Sequence, residues 1–119
     1  MRILVCGGRD FNNRLFLAAT LESLGPITRV IHGGARGADM LAGEWAIENG
    51  IPFEVFGADW EKYGRAAGPR RNAEMLAKGK PDLVVAFPGG RGTADMVRRA
   101  KAKGVPVKEI GVVEIEVMV

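Results

Sequence analysis

The sequence predicts an α/β protein, a doubly wound and mainly parallel sheet of five or six strands with helices on both faces, in a single domain spanning residues 1–119. Three observations carry that expectation. Short β-branched runs alternate with segments of helical period along the whole chain. Glycine clusters follow three of those runs, as "CGGRD", "HGGARGAD" and "PGGRGTAD". No linker, internal repeat or low-complexity tract interrupts the alternation.

The first strand is "RILVC", residues 2 to 6. Asn12 or Asn13 then offers a helix N-cap, Leu17, Leu21 and Leu24 recur on one face, and Gly25-Pro26 ends the helix. After the strand "RVIH" (29 to 32), Ala38, Leu41, Ala42, Trp45 and Ala46 form one apolar stripe, with Gly50 as the C-terminal cap. "PFEVF" (52 to 56) is the third strand. The dozen residues that follow show no period of two or 3.6, and connections that long are usually functional or mobile. A third helix opens with Pro69 at a first helical position and closes at Gly79. "DLVVAF" (82 to 87) leads to a fourth helix that begins near Thr93, buries Ala94, Val97 and Ala100, turns Arg98, Arg99 and Lys101 to water, and stops at Gly104. "VPVKEI" (105 to 110) is the fifth strand, and the tail "VVEIEVMV" reads as a further strand, at an edge or in a dimer contact. Strands alternating with helices at this spacing call for parallel crossovers.

Hydrophobic residues at 47% and charged residues at 26% exclude a disordered chain. The apolar runs fall far short of the ~20 residues of a membrane span. "MRILVCGG" enters a glycine turn where a signal peptide would stay apolar, so a cytoplasmic protein without a membrane partner is expected. The single cysteine, Cys6, excludes an intramolecular disulfide and a cysteine-built metal site, and reads as a buried small hydrophobe. The net charge of +3 gathers in "GRAAGPRR" and "VRRAKAK", which suits an anionic ligand or a solvated helix face.

Each glycine cluster falls at the carboxyl end of a strand, the edge where open α/β sheets bind ligands. Glycine lets the backbone approach a ligand closely, and the helix that follows presents free N–H groups to an anion. A nucleotide or other phosphate-bearing ligand is therefore expected. The residues placed on it are Gly7, Gly8 and Arg9 of the first turn, Gly33, Gly34, Arg36, Gly37 and Asp39 of the second, and Pro88, Gly89, Gly90, Arg91, Gly92 and Thr93 of the third. Arg71 and Asn72, opening the third helix, join them, since a guanidinium fork matches phosphate geometry. None of the turns is a Walker loop or a G-x-G-x-x-G fingerprint. Trp60 and Tyr63 either fill the underside of the long connection or stack on a base. His32 is a structural hydrogen bonder or a general acid or base. No spacing among Asp10, Asp39 and Asp59 argues for a metal, and none is expected.

"GGARGAD", "ADWEKYGRAAGPRRNAEM" and "PGGRGTAD", in this order, resemble the YspA-like, cpYpsA-related branch of the SLOG superfamily. That superfamily also includes the LOG hydrolases, which cleave the N-glycosidic bond of cytokinin nucleoside monophosphates, and the DNA-processing protein DprA. The resemblance implies a Rossmann-like fold, a homodimer, and a nucleotide or phosphoribosyl ligand held for binding or sensing. LOG enzymes carry a "PGGxGTxxE" turn whose glutamate works with an arginine from a preceding helix. Pro88, Gly89, Gly90, Gly92 and Thr93 match the turn and Arg71 the arginine, but Met96 stands in the glutamate's place. Asp95 lies one residue earlier, about 100° around the helix. Arg71 and Asp95 are thus the catalytic candidates, with Asp39 a further carboxylate; both aspartates also read as acids favoured by a helix dipole. Two alternatives stand beside ligand binding. One is an N-glycosidase or phosphoribohydrolase acting on nucleoside monophosphates or NAD-derived nucleotides. The other is DNA binding through Arg65, Arg70, Arg71, Arg98 and Arg99, which the modest net charge disfavours.

Overall fold

In chain order the elements are β1 (Arg2–Cys6), α1 (Arg14–Glu22), β2 (Arg29–His32), α2 (Ala38–Glu48), β3 (Phe53–Val55), α3 (Trp60–Tyr63), a 3₁₀ turn (Gly64–Ala66), α4 (Ala67–Gly79), β4 (Leu83–Ala86), α5 (Arg91–Ala102) and β5 (Val107–Glu109). They come from a computed structural model that describes residues 1–111; the tail read as a further strand or dimer contact, residues 112–119, lies outside the described residues. The five strands form one parallel sheet in the order β3-β2-β1-β4-β5. Ile3 sits opposite both Val30 of β2 and Leu83 of β4, so β1 is the central strand.

The alternation of side chains along β1 divides the core in two. Ile3 and Val5 pack with Leu17 and Leu21 of α1, Trp45 of α2, and Phe87. Leu4 and Cys6 face the other way, onto Met75 and Leu76 of α4 and Met96 and Val97 of α5. Helices therefore cover both faces, which explains why β1, β2 and β4 read as unbroken apolar runs. After β3 the chain crosses to the far side of β1, so the order reverses between β1 and β4. A crevice opens at their carboxyl ends.

The helix limits differ from expectation in ways that bear on the crevice. Asn13 is the N-cap of α1, its side chain accepting the Phe16 N–H at 3.1 Å. The long connection contains α3, capped by the Asp59 carboxylate on the Lys62 N–H at 3.1 Å, and then the 3₁₀ turn. That turn runs straight into α4, which starts two residues before Pro69. Proline is tolerated there because N–H groups in the first helical turn have no intrahelical partner to lose. Lys80, with φ 49°, takes the left-handed position expected of Gly79. Gly79 stays inside the helix, with its carbonyl accepting from Arg2 at 2.9 and 2.6 Å. Helix α5 starts at Arg91, two residues early, and its buried stripe is Asp95, Met96, Val97 and Ala100; Ala94, expected inside, is exposed. Among the described residues no helix is long and apolar enough to cross a membrane.

Candidate functional site

Strand order brings the three glycine turns into contact. The Gly8 N–H donates to the Pro88 carbonyl at 2.8 Å, and the Gly8 carbonyl accepts from Ala38 N–H at 3.2 Å, tying the first turn to both others. Gly37 has φ 82°, and a β-carbon on it would run into the Gly8 carbonyl oxygen and the backbone of Arg9. The first amide of α2 is thus occupied by protein. The Gly33 and Ala35 N–H groups go to Asp39 Oδ2, at 3.0 and 3.3 Å. Gly37, Pro88 and Gly89, placed by sequence on the ligand, instead pack the turns together and line neither cavity described below.

The third turn behaves otherwise. Gly90 is the N-cap of α5 with no side-chain cap, and among the described residues the N–H groups of Arg91, Gly92 and Thr93 have no hydrogen-bond partner. These residues border a cavity of about 530 Å³ at the crevice, with Gly7, Gly8 and Arg9 across from them. Helix α4 closes it through Gly68, Arg71 and Asn72, and Trp60 and Arg65 arrive from the segment before α4. Arg71 donates through Nη1 to the Gly33 carbonyl at 2.7 Å and through Nε to Asn72 Oδ1 at 3.1 Å. Asn72 Nδ2 donates to Asp95 Oδ2 at 3.0 Å and to the Gly92 carbonyl at 3.2 Å. One arginine and one asparagine therefore pin α4 to the second and third turns.

The cations sort themselves by partner. Arg2 and Arg29 pair with Glu54, Arg14 with Glu44 and Glu48, Arg36 with Asp10, and Arg98 and Arg99 with Asp95. Arg9, Arg65, Arg70, Arg71 and Arg91 form no ion pair with a described carboxylate, and all but Arg70, which lies over the Tyr63 ring, line the cavity. Burial lowers the pKa of Arg71, with the Asp39 charge opposing and the Arg9 charge adding to that effect. A guanidinium keeps its proton regardless, so the cavity is cationic.

Its two carboxylates differ in state. Burial, opposed by the Ala35 and Gly33 N–H groups and by the Arg71 and Arg9 charges, pushes Asp39 up to about 6. Burial also acts to raise Asp95, but the Asn72 hydrogen bond and the Arg99 and Arg98 guanidiniums outweigh it and hold Asp95 below its ordinary value. Arg98 and Arg99, expected to face water, fold onto Asp95 at 2.6 and 2.8 Å, although Arg98 stays largely exposed. Asp95 therefore sets the Asn72 amide, and with three donors on it has little basicity to spare. Met96 is wholly buried in the core, so no side chain at that position faces the cavity. Cys6 lines the cavity wall as a thiol, pushed up to about 12 by burial and the Asp39 charge. His32 is buried, its Nδ1 accepts the Gly34 N–H at 3.0 Å, and burial lowers its pKa, which makes it a neutral structural bonder.

Asp39 makes stability depend on pH. Folded, it keeps its proton up to about pH 6, whereas its ordinary value is 3.8, so the native state binds more protons in between. Stability then falls as pH rises through that window, and the penalty persists above it. His32 acts oppositely, because the unfolded chain binds its proton better below 6.5. Subtracting an Asp39→Asn variant isolates the first effect. Relative to the parent, that variant should gain on the order of 2–3 kcal/mol between pH 4 and 6 and no more above that, read from urea midpoints. A difference independent of pH would show that Asp39 ionises normally.

Trp60 is half exposed, lies against Gly68, and has the Arg9 guanidinium 5.7 Å from its ring centre; Tyr63 carries Arg70 at 4.2 Å. Gly33, Gly34 and Arg36 border a second cavity beside the first. Sequence reading missed Cys6, Ala35, Gly68, Pro69 and Met75 on the first cavity and assigned Arg65 only to DNA. The one signal for Arg65 and Gly68 was their place in the aperiodic, arginine-bearing connection.

Comparison with known proteins accords with this architecture. The model of the YspA, cpYpsA-related SLOG family matches residues 1–63. Gene 61 protein of Mycobacterium phage D29 is 40% identical over 121 residues, covering 92% of this chain and 96% of that protein. Among solved structures, UDP-GlcNAc 2-epimerase from Neisseria meningitidis, bound to UDP-GlcNAc, is similar at a TM-score of 0.58 with 18% identity. That likeness covers 92% of this chain but only 32% of the epimerase, and it supports the Rossmann-like fold alone. Since the family match takes in more than half of the chain, from β1 to the end of α3, and the phage relative extends across nearly all of it, the protein belongs to the YspA, cpYpsA-related SLOG family.

Proposed function

We propose that the crevice binds a phosphorylated nucleoside and that the protein is a nucleotide-binding or nucleotide-sensing module. The observation that carries this reading is the gathering of Arg9, Arg65, Arg71 and Arg91, none paired with a described carboxylate, around one cavity. Unpaired guanidiniums around one cavity carry like charge, as Arg9 does toward Arg71, and an anion relieves them. The phosphate would take the Arg91, Gly92 and Thr93 amides at the start of α5, opposite Arg71. The ribose hydroxyls would meet Asp39. Calorimetry with nucleosides and their 5′-monophosphates tests it: the monophosphates should bind and the nucleosides should not, with affinity falling as salt rises. Equal uptake of both would remove the phosphate from the site.

Gly92 gives a second check. No atom lies within 4 Å of where its β-carbon would stand, and its φ is not in the left-handed region, so the fold itself does not require glycine there. Glycine in a helix is less favourable than alanine by roughly 0.5–1 kcal/mol. Gly92→Ala should therefore unfold at an equal or slightly higher temperature than the parent. Gly92→Leu should fold normally yet lose binding by about tenfold or more, because its side chain enters the phosphate position. Thermal melts and calorimetry separate the two effects.

A second reading, hydrolysis of an N-glycosidic bond, has one specific observation behind it. Asp39 lines the cavity with a pKa near 6, suited to protonating a leaving base, and only its Oδ2 is engaged among the described residues. Release of free base from nucleoside monophosphates, lost in Asp39→Asn, would establish it; binding without release leaves the module. DNA binding has no comparable support, because Arg98 and Arg99 are committed to Asp95 and Arg71 to the cavity.

A further inference from the structure

A second cavity of about 600 Å³ lies over the carboxyl ends of β2 and β3, bordered by Gly33, Gly34, Arg36, Val55, Gly57 and Ala58. It adjoins the first: Arg9, Ala35, Trp60 and Arg71 line both. The shared wall is made of two unpaired guanidiniums and an aromatic ring, with Arg9 resting over the half-exposed Trp60. Each lobe is of small-molecule size, within the range of about 300–1,000 Å³.

A nucleoside monophosphate on the α5 amides would occupy the first lobe and leave the two cations of the shared wall only partly neutralised. A phosphate chain continuing across that wall would meet both guanidiniums, since its two phosphoryl groups each carry about one negative charge and stand at separate positions. Beyond it, Val55 and Ala58 offer an apolar wall to a ring, and Arg36 borders the mouth. We infer that the ligand is a pyrophosphate-linked compound with a ring-bearing half in each lobe, a dinucleotide or a nucleotide sugar, bridged at Arg9 and Arg71. This rests on the nucleotide reading of the first cavity and adds the class of compound.

The test is calorimetry on adenosine, guanosine and uridine 5′-monophosphates against ADP-ribose, GDP-mannose and UDP-glucose. At least one pyrophosphate-linked compound should bind about tenfold or more tighter than the monophosphate with the same base. Gly57→Leu fills the second lobe at a position with no atom within 4 Å of its β-carbon, so the variant folds. Arg36→Ala removes the charge there and breaks only an exposed pair with Asp10. Both should erase most of the advantage, and Gly57→Leu should leave monophosphate affinity unchanged. If monophosphates bind as well as the linked compounds, or the advantage survives both variants, the two-lobed assignment is overturned while the first site stands. If nothing in the panel binds, both readings fall.

Discussion

Gly37→Val should cost the fold about 3 kcal/mol or more, and Gly37→Ala nearly as much. Two penalties combine at this residue. Its φ of 82° with ψ −129° lies where a side chain strains the backbone, and the β-carbon would strike the Gly8 carbonyl and the Arg9 backbone. Neither obstacle is the tip of a flexible side chain, so relief requires the first and second turns to separate. That would break the Ala38 N–H to Gly8 carbonyl bond and disturb the Gly8 N–H to Pro88 carbonyl bond beside it. Gly50 is the natural control, also at positive φ (65°) but with nothing within 4 Å of its β-carbon. Gly50→Ala should cost only about 1 kcal/mol, the price of the conformation alone. Urea unfolding of the pair decides the matter: equal losses would mean that the turns are not held in contact through Gly37.

That contrast shows what was legible in the chain. Ile3, Val5, Val30, Val84 and Val85 announce a buried parallel sheet by type alone, and Leu17, Leu21, Ala42, Trp45 and Ala46 announce two helices by spacing. The four residues of α3 are too few to show a period, and the helix depends on the Asp59 cap. In α5 a stripe through Ala94 is plausible until Asp95 is seen to be buried by Asn72, Arg98 and Arg99, which turns the helix by one residue. Among the glycines, Gly37 and Gly89 turn to packing for a reason the sequence does not show. Sequence places all three clusters at strand ends, but only the strand order brings Gly8 against Pro88 and Gly37 against Gly8. All three turns therefore use glycine to touch one another, while the first and third also border the cavity. Arg71 was legible as a phosphate ligand, but its hold on the Gly33 carbonyl, across two layers of the fold, was not.

Arg71→Ala should weaken binding of the phosphorylated ligand by about 30-fold or more, since truncating one partner of a buried charge-assisted contact costs roughly 2–5 kcal/mol. The effect on stability should be far smaller. The variant loses the bonds to the Gly33 carbonyl and to Asn72 Oδ1, each worth about 1 kcal/mol, and is relieved of a half-buried charge facing Arg9. It also withdraws a cation from beside Asp39, whose pKa should rise above about 6. Arg71→Lys keeps the charge but not the planar fork, so it should restore Asp39 titration more fully than ligand affinity. Calorimetry read with an NMR titration of the Asp39 carboxyl distinguishes these roles. Arg71 could be merely a strut between α4 and the second turn; alanine would then lower the melting temperature and leave the ligand's affinity alone. A large loss of affinity in a variant that melts near the parent places the guanidinium on the ligand instead.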